Sequence, residues 1–152
     1  MTPQPDAAKV SKLILDLARW QVDTQLTTAD NYDSKSTAML GLVGVALGLV
    51  LAFKGALGSG WWVSALVLLA AAACALLAIR DRAYHYGPEP EQFYNEYGGL
   101  DEAEANVKLL SHLLPSLAAN DTGIKWKSRY FMGSITLLVF AGGVAVVELM
   151  VR

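Results

Sequence analysis

The chain has 152 residues, of which 54% are hydrophobic and 17% are charged, and its formal net charge is −2. A typical soluble domain has about 25% charged residues, so this composition indicates a membrane protein. The small net charge does not favour broad nucleic-acid binding, and the single cysteine, Cys74, excludes a disulfide within the chain. The first 35 residues carry nine charges and lack an early apolar core, so no cleavable signal peptide is expected.

The N-terminal segment is predicted to be helical from about Asp6. Apolar residues recur every four positions from Val10 to Leu26, which is the spacing of one helix face. Beyond Asp6, neither glycine nor proline occurs before Gly41. We therefore expect residues 1–35 to form a cytoplasmic helix that continues without interruption into a first membrane span.

Three segments approach the roughly 20 apolar residues that a helix needs to cross a bilayer. They are residues 36–57, 60–79 and 130–151. The stretch from Ser36 to Phe53 has no charged residue, the second segment has none, and the third has only Glu148. The sequence therefore predicts an all-α membrane protein with three transmembrane helices.

Lysine and arginine are concentrated in the N-terminal segment and in residues 80–129. By the positive-inside rule, these two parts are cytoplasmic and the C-terminus lies outside. In this topology Lys54 and Glu148 each lie about 28 Å beyond their cytoplasmic flank, at 1.5 Å per helical residue. They therefore reach a similar outer depth, where they either form an ion pair or extend separately to the interface.

Residues 80–129 are predicted to form a small cytoplasmic helical cap. A short helix is expected to begin near one of the prolines of "YGPEPEQFYNEYGG" and to end at its last two glycines. Asp101 with Glu104 resembles a capping box that begins the next helix. Pro115 is expected to kink or end that helix, and the chain is expected to return to helix before the third span.

The first helix carries a seam of small and polar residues with heptad spacing, which we call the small-residue seam. Its members alternate in steps of three and four, and they are Thr27, Asp30, Ser34, Thr37, Gly41, Gly44 and Gly48. This is the a/d spacing of a coiled coil, and small residues four apart let membrane helices approach closely. Three interpretations are open: packing against the second or third helix of the same chain, self-association between subunits, or the lining of a solvated pore.

Motifs for catalysis are not found in the sequence. There is no nucleophile elbow, P-loop or GxGxxG motif. The two histidines, His85 and His112, stand 27 residues apart without clustered carboxylates. We therefore expect neither an enzyme nor a metal or cofactor site.

Basic residues mark the predicted inner edge of the membrane. The candidates for a signal-binding site are Arg80, Arg82, His85, Lys125, Lys127 and Arg129. Aromatic residues lie among them, and cationic donors beside stacking rings can hold a nucleotide or a short oligonucleotide. The alternative is that these residues set the topology and contact lipid headgroups.

Three stretches of the sequence resemble small membrane effectors of bacterial anti-phage defence, the SLATT and Pycsar-type transmembrane effector group. They are "TTADNYDSKSTAMLGLVGVALG", "PEPEQFYNEYGG" and "SLAANDTGIKWKSRYF", together with the tight hairpin between the first two spans. The resemblance implies a helical inner-membrane protein that oligomerises and disrupts the membrane when a cytosolic sensor signals infection. In that group the signal is typically a nucleotide messenger made by a cyclase or nucleotidyltransferase. This chain has no evident fused sensor domain, so its trigger would be a separate molecule or protein.

The sequence therefore predicts a homo-oligomeric pore or channel in the bacterial inner membrane that acts as a defence effector. Three spans per chain do not enclose a channel comfortably, so several subunits are expected, four being a reasonable number. The expected partners are the lipid bilayer, further copies of the chain, and a nucleotide or oligonucleotide messenger or the enzyme that makes it. The alternatives are a phage holin-like pore former and a non-channel membrane subunit of a larger complex.

Overall fold

Five α-helices make up the fold in the computed structural model, which describes residues 7–80, 84–85 and 88–151. In chain order they are α1 (Ala7–Ala52), α2 (Lys54–Leu57), α3 (Trp61–Ile79), α4 (Pro90–Tyr97) and α5 (Glu102–Met150), with a 3₁₀ turn at Gly58–Gly60. No strand occurs within those described ranges. Three helical stretches are long and apolar enough to cross a membrane, namely Lys9–Ala52, Lys54–Ile79 and Glu102–Met150. The predicted all-α membrane fold with three spans is therefore confirmed.

Helix α1 runs for 46 residues without a break. Its polar middle is compatible with a helix because four threonine hydroxyls donate to the carbonyl four residues earlier, at Thr24, Thr27, Thr28 and Thr37. Each of these bonds satisfies the hydroxyl within the helix itself. The prediction of one helix continuous with the first span is confirmed from Ala7 onward. Asp6, where the helix was expected to begin, lies outside the described residues.

A tight turn joins α1 to α3. The backbone amides of Ala56 and Leu57 both donate to the carbonyl of Phe53, at 2.9 and 3.1 Å. Gly58 then adopts a φ of 70°, in the left-handed region that favours glycine. The short hairpin expected between the first two spans is therefore present.

Helix α4 begins with Pro90 at its first position and ends where the amide of Gly98 donates to the carbonyl of Tyr94. The structure shows one of the two hydrogen bonds of the predicted capping box at the next helix, because Asp101 accepts a hydrogen bond from the amide of Glu104 at 2.8 Å. The end of α4 and the beginning of α5 are therefore both fixed by local hydrogen bonds at residues that the sequence singles out.

Pro115 was expected to kink or end its helix, and the structure shows that it does not end it, because α5 continues through this residue. A proline in a helix interior removes one backbone hydrogen bond and costs about 3 kcal/mol. Leu113, before Pro115, is buried in a cluster of apolar side chains, and Leu117, after it, packs against the same cluster. This packing holds the helix together across the backbone hydrogen bond that the proline removes. The cap helix and the third span, expected as separate helices, are consequently one helix of 49 residues.

The described residues fall into two compact units. The first is drawn from Met1–Thr28 and Arg82–Ile124, and the second from Ala29–Asp81 and Lys125–Arg152. The core of the first unit joins α1 to α5 and consists of Leu15, Ala18, Val22, Leu110 and Leu113. The core of the second unit joins α1, α3 and α5 and consists of Val43, Val50, Leu57, Ala65, Leu68, Ala71 and Ala141. Each unit thus has an apolar core of its own.

Candidate functional sites

The small-residue seam lies on the uncovered side of α1. All seven of its members are exposed, from Thr27 to Gly48. An ideal Cβ built on Gly41, Gly44 or Gly48 meets no heavy atom within 4 Å, the backbone of the same helix apart. The seam is therefore free to contact something outside the chain.

The opposite side of α1 makes the contacts within the chain. Ala29, Ser36, Val43 and Val50, which are seven residues apart, are all buried. Their register is offset from the seam by about half a turn at 100° per residue. Packing of the seam against the chain's own second or third helix, one of the three interpretations of the sequence, is therefore not what the described residues do.

A buried ion pair joins α1 to α5 in the second unit. The ammonium of Lys127 donates to Oδ1 of Asp33, and the side chain of Lys127 is 2% exposed whereas that of Asp33 is 32% exposed. The structure pairs the charge of Lys127, which the sequence assigns to a possible signal site, with Asp33. A buried lysine has to pair with a carboxylate to offset the loss of its hydration. Asp33, for which the sequence suggested no role, is that carboxylate.

Aromatic contacts extend this connection between the two helices. Tyr32 donates to the hydroxyl of Ser128 at 3.1 Å, and its ring contacts the edge of Phe131 with centroids 6.0 Å apart. One helical turn of α1 is thus held to α5 by an ion pair, a hydrogen bond and a ring contact. This polar cluster fixes which face of α1 turns inward.

Cationic and aromatic side chains do come together on the exposed face of α5. The guanidinium of Arg129 lies 5.5 Å from the centroid of the Trp126 ring, and that ring stacks on Tyr130 with centroids 5.7 Å apart. We call these three residues the Arg–Trp–Tyr cluster. Two other predicted members of the signal site, Arg80 and Lys125, are also exposed in the second unit. Arg82, another member, lies outside the described residues.

His85 belongs to the first unit, where an asparagine holds its backbone. Asn120 is buried, and its side-chain amide bonds both the amide and the carbonyl of His85, each at 3.0 Å. This two-point contact fixes the segment that leads towards α4. The sequence did not single out Asn120, because a side chain that bonds a distant backbone leaves no periodic signal.

The two histidines, 27 residues apart in sequence, line one cavity of about 220 Å³ in the first unit. Gln92, Glu96 and Tyr97 of α4 contribute to the same cavity, and the rings of Tyr97 and His112 lie 6.1 Å apart. A side-chain hydrogen bond with Glu96 raises the pKa of the Tyr97 phenol above its usual 10.0, because the carboxylate favours the protonated donor. Among the described residues no three His, Cys, Asp or Glu side chains are placed to hold a metal ion.

A second, larger cavity of about 580 Å³ shares lining residues with the first, among them Phe93 and Tyr97. Phe93, Tyr94 and Tyr97 of α4 line it together with apolar residues of α5, and Arg19 of α1 supplies a positive charge. Its volume is typical of small-molecule sites. This cavity was not predicted from the sequence, although the spacing of three aromatic residues on a short helix was a signal that could have indicated it.

The predicted outer ion pair is not present. No ion pair joins Lys54 to Glu148 in the part of the chain that the structure describes. Oε1 of Glu148 lies 2.1 Å from the position that a Cβ of Gly60 would occupy, so the carboxylate fills the space that this glycine leaves. That position is at the N-terminal end of α3, where the helix dipole favours a negative charge. Lys54 is exposed and extends separately.

Comparison of the chain with protein-family models, curated proteins and solved structures returns no match. The function is therefore inferred from the small-residue seam and the Arg–Trp–Tyr cluster.

Proposed function

We propose that this protein is a membrane effector of bacterial anti-phage defence that forms a homo-oligomeric pore or channel in the inner membrane. The observation that supports assembly is the uncovered small-residue seam of α1, in which three glycines leave room for the close approach of another helix. The opposite face of α1 already packs within the same chain, so the seam is the face of this helix that remains for contacts with other chains. The resemblance to anti-phage effectors supplies the biological setting.

The seam also has the chemistry of a pore entrance. Asp30, Ser34 and Thr37 are exposed at successive turns just before the glycines. Several copies arranged around an axis would bring their carboxylates and hydroxyls together as rings. An acidic ring at an entrance favours cations. Residues 1–35 and 80–129 are proposed to lie in the cytoplasm and the C-terminus outside, because lysine and arginine are concentrated in those two segments.

Gating is assigned to a nucleotide-type signal or to a sensor partner that shifts a closed–open equilibrium. The exposed charges that could receive it are Arg80, Lys125 and Arg129, the last within the Arg–Trp–Tyr cluster. Phosphate groups bind such cations, and a base stacks on the neighbouring indole. Reversing these three charges is expected to abolish the response to the trigger but to leave assembly intact, and a retained response would limit these residues to setting topology.

Ion flux from liposomes tests the pore directly. Gly44→Leu and Gly48→Leu place large side chains in the seam, and Asp30→Ala removes the carboxylate at its entrance. The matched control is Gly142→Leu, because Gly142 is likewise exposed with no heavy atom within 4 Å of an added Cβ but lies outside the seam. We expect the two seam leucines to reduce flux strongly, Asp30→Ala to reduce cation preference, and Gly142→Leu to have little effect. Unchanged flux in all three seam variants would remove the seam from the mechanism.

Defence is tested separately from conductance. Bacteria that express the protein together with its neighbouring genes are infected with phage, and plaque numbers and membrane potential are followed. We expect fewer plaques and loss of potential only after infection. Loss of potential at a fixed time without infection would favour the holin-like alternative, and a protein that is monomeric and non-conducting when purified would favour a subunit of a larger complex.

A further inference from the structure

A row of large apolar side chains lies uncovered on the N-terminal part of α1. Leu13 is 71% exposed and Trp20 is 62% exposed, and Val10 and Leu17 are exposed between and beside them. The other side of this part of the helix carries the buried Leu15. We call these four exposed residues the apolar stripe. An apolar row of this kind, on the unit whose core is already complete, indicates a contact surface.

The apolar stripe has the register of a coiled coil. Its residues follow steps of three, four and three, so they occupy positions a, d, a and d of a heptad repeat. Steps of seven from Leu13 and Trp20 lead to Thr27, Ser34, Gly41 and Gly48 of the small-residue seam, and every one of these positions is exposed. The d positions of this register therefore carry large apolar residues near the N-terminus and small residues in the span, and its a positions continue through Thr24 and Asn31.

The charges beside this register suit a second copy of the same helix in parallel orientation. With the stripe at positions a and d, Asp30 occupies g and Lys35 occupies the following e. In a parallel coiled coil, the g residue of one helix meets the e residue of the next heptad of its partner. Asp30 of one copy therefore faces Lys35 of the other, and both side chains are exposed.

Two other arrangements fit the charges less well. Antiparallel pairing brings g positions together, and Asp16, Asp23 and Asp30 all occupy g, so like charges would meet. Binding of the stripe to an anionic membrane surface is opposed by the exposed carboxylates of Asp16 and Asp23 beside it. Copies inserted in the membrane in the same sense are parallel in any case.

We propose that residues 10–35 of α1 form a parallel, in-register coiled coil with the same segment of a second copy of this chain, with Asp30 paired to the partner's Lys35. The proposal rests on the proposed function for the assembly alone and not for its conductance. In this proposal the apolar stripe holds the subunits together, and this contact is separate from the one that the glycines of the small-residue seam make within the span.

Disulfide crosslinking in native membranes tests the register. Cys74 is the only cysteine, so Cys74→Ala gives a background in which single cysteines are introduced by Leu13→Cys, Leu17→Cys and Trp20→Cys. Identical a or d positions of a parallel coiled coil approach within the separation that a disulfide allows. The matched controls are Lys12→Cys and Arg19→Cys, which are exposed on the same helix but lie off the stripe.

We expect the three stripe cysteines to form crosslinked dimers at least about tenfold faster than the two controls. Equal rates at all five positions would overturn the coiled coil and indicate collision or a different contact. Crosslinking without ion flux would leave the coiled coil standing and remove the pore. Ion flux together with equal crosslinking rates at stripe and control positions would remove the coiled coil and leave the pore standing. The two proposals therefore fail in distinguishable ways.

Association of the purified full chain in detergent gives a second measurement. Leu13→Glu places like charges at the contact, whereas Leu114→Glu changes a leucine of similar exposure on α5 that lies outside the stripe. Because burying a leucine contributes about 1.5–3 kcal/mol, Leu13→Glu should raise the dissociation constant at least about tenfold and Leu114→Glu should not. Equal effects of the two variants would contradict the assignment.

Exchange of the charges tests the orientation. Asp30→Lys or Lys35→Asp alone should weaken association by about 1.4- to fivefold, the range of exposed ion pairs, and the double exchange should restore it. Failure of the double exchange to recover any affinity would contradict parallel pairing.

Discussion

Removing the carboxylate of Asp33 is expected to destabilise the protein more than removing the ammonium of Lys127. After Asp33→Ala the buried ammonium loses the carboxylate of Asp33, and removal of one partner of a buried ion pair costs about 3–5 kcal/mol. After Lys127→Met the remaining carboxylate still has about a third of its surface in contact with solvent, so its penalty is about 1–3 kcal/mol. The order of the two effects follows from the unequal exposure of the pair.

The double variant Asp33→Leu/Lys127→Met separates the charge from the packing. Both ionised groups are then absent and apolar side chains of similar length fill their place, which is close to neutral for many buried pairs. The free energy of unfolding is measured by titrating detergent-solubilised protein with a denaturing detergent and following helix content. Lys108→Met, an exposed lysine on the same helix, is the control and should change stability by about 0.5 kcal/mol or less.

Two results would refute this reasoning. Equal losses for the two single variants would mean that exposure does not set the cost of each unpaired charge. A double variant as unstable as Asp33→Ala would mean that the pair contributes specific geometry that apolar packing cannot replace.

The remaining predictions concern three buried polar side chains. Asn120→Ala removes both hydrogen bonds to the segment before α4 and should destabilise the first unit by about 1–3 kcal/mol, measured by thermal denaturation. The control is Asn95→Ala, at an exposed asparagine, which should have little effect. Similar losses for the two variants would contradict the role of Asn120. Ser134→Ala removes a hydroxyl that donates to a carbonyl of α3 at 2.9 Å and should cost about 0.6 kcal/mol, a typical value between membrane helices. Ser36 is equally buried, but its hydroxyl has no hydrogen-bond partner among the residues that the structure describes. Ser36→Ala should therefore be neutral or stabilising in the same unfolding assay, and a loss as large as that of Ser134→Ala would contradict this expectation.

The helices could be predicted from local sequence because their signals are local. The absence of glycine and proline made α1 predictable as one helix, and Asp101 indicated where α5 begins. Pro115 shows the limit of such signals, since the packing of neighbouring leucines outweighs a local preference that is worth about 3 kcal/mol.

The candidate sites were predictable only in part, because contacts between distant segments have no periodic signature. The small-residue seam was recognisable as a face, but its exposure depended on which side of α1 the ion pair and core residues turn inward. Lys127 looks in sequence like any other lysine near a membrane, and only its position opposite Asp33 distinguishes it from Arg129.

Three glycines of α1 have a further consequence for how this sequence can vary. Helix propensity favours alanine over glycine by about 1 kcal/mol, and none of the residues that the structure describes occupies the space beside Gly41, Gly44 and Gly48. The stability of an isolated chain therefore gives natural selection no reason to retain glycine at these positions. If glycine persists there over evolutionary time, the pressure that retains it comes from outside the single chain.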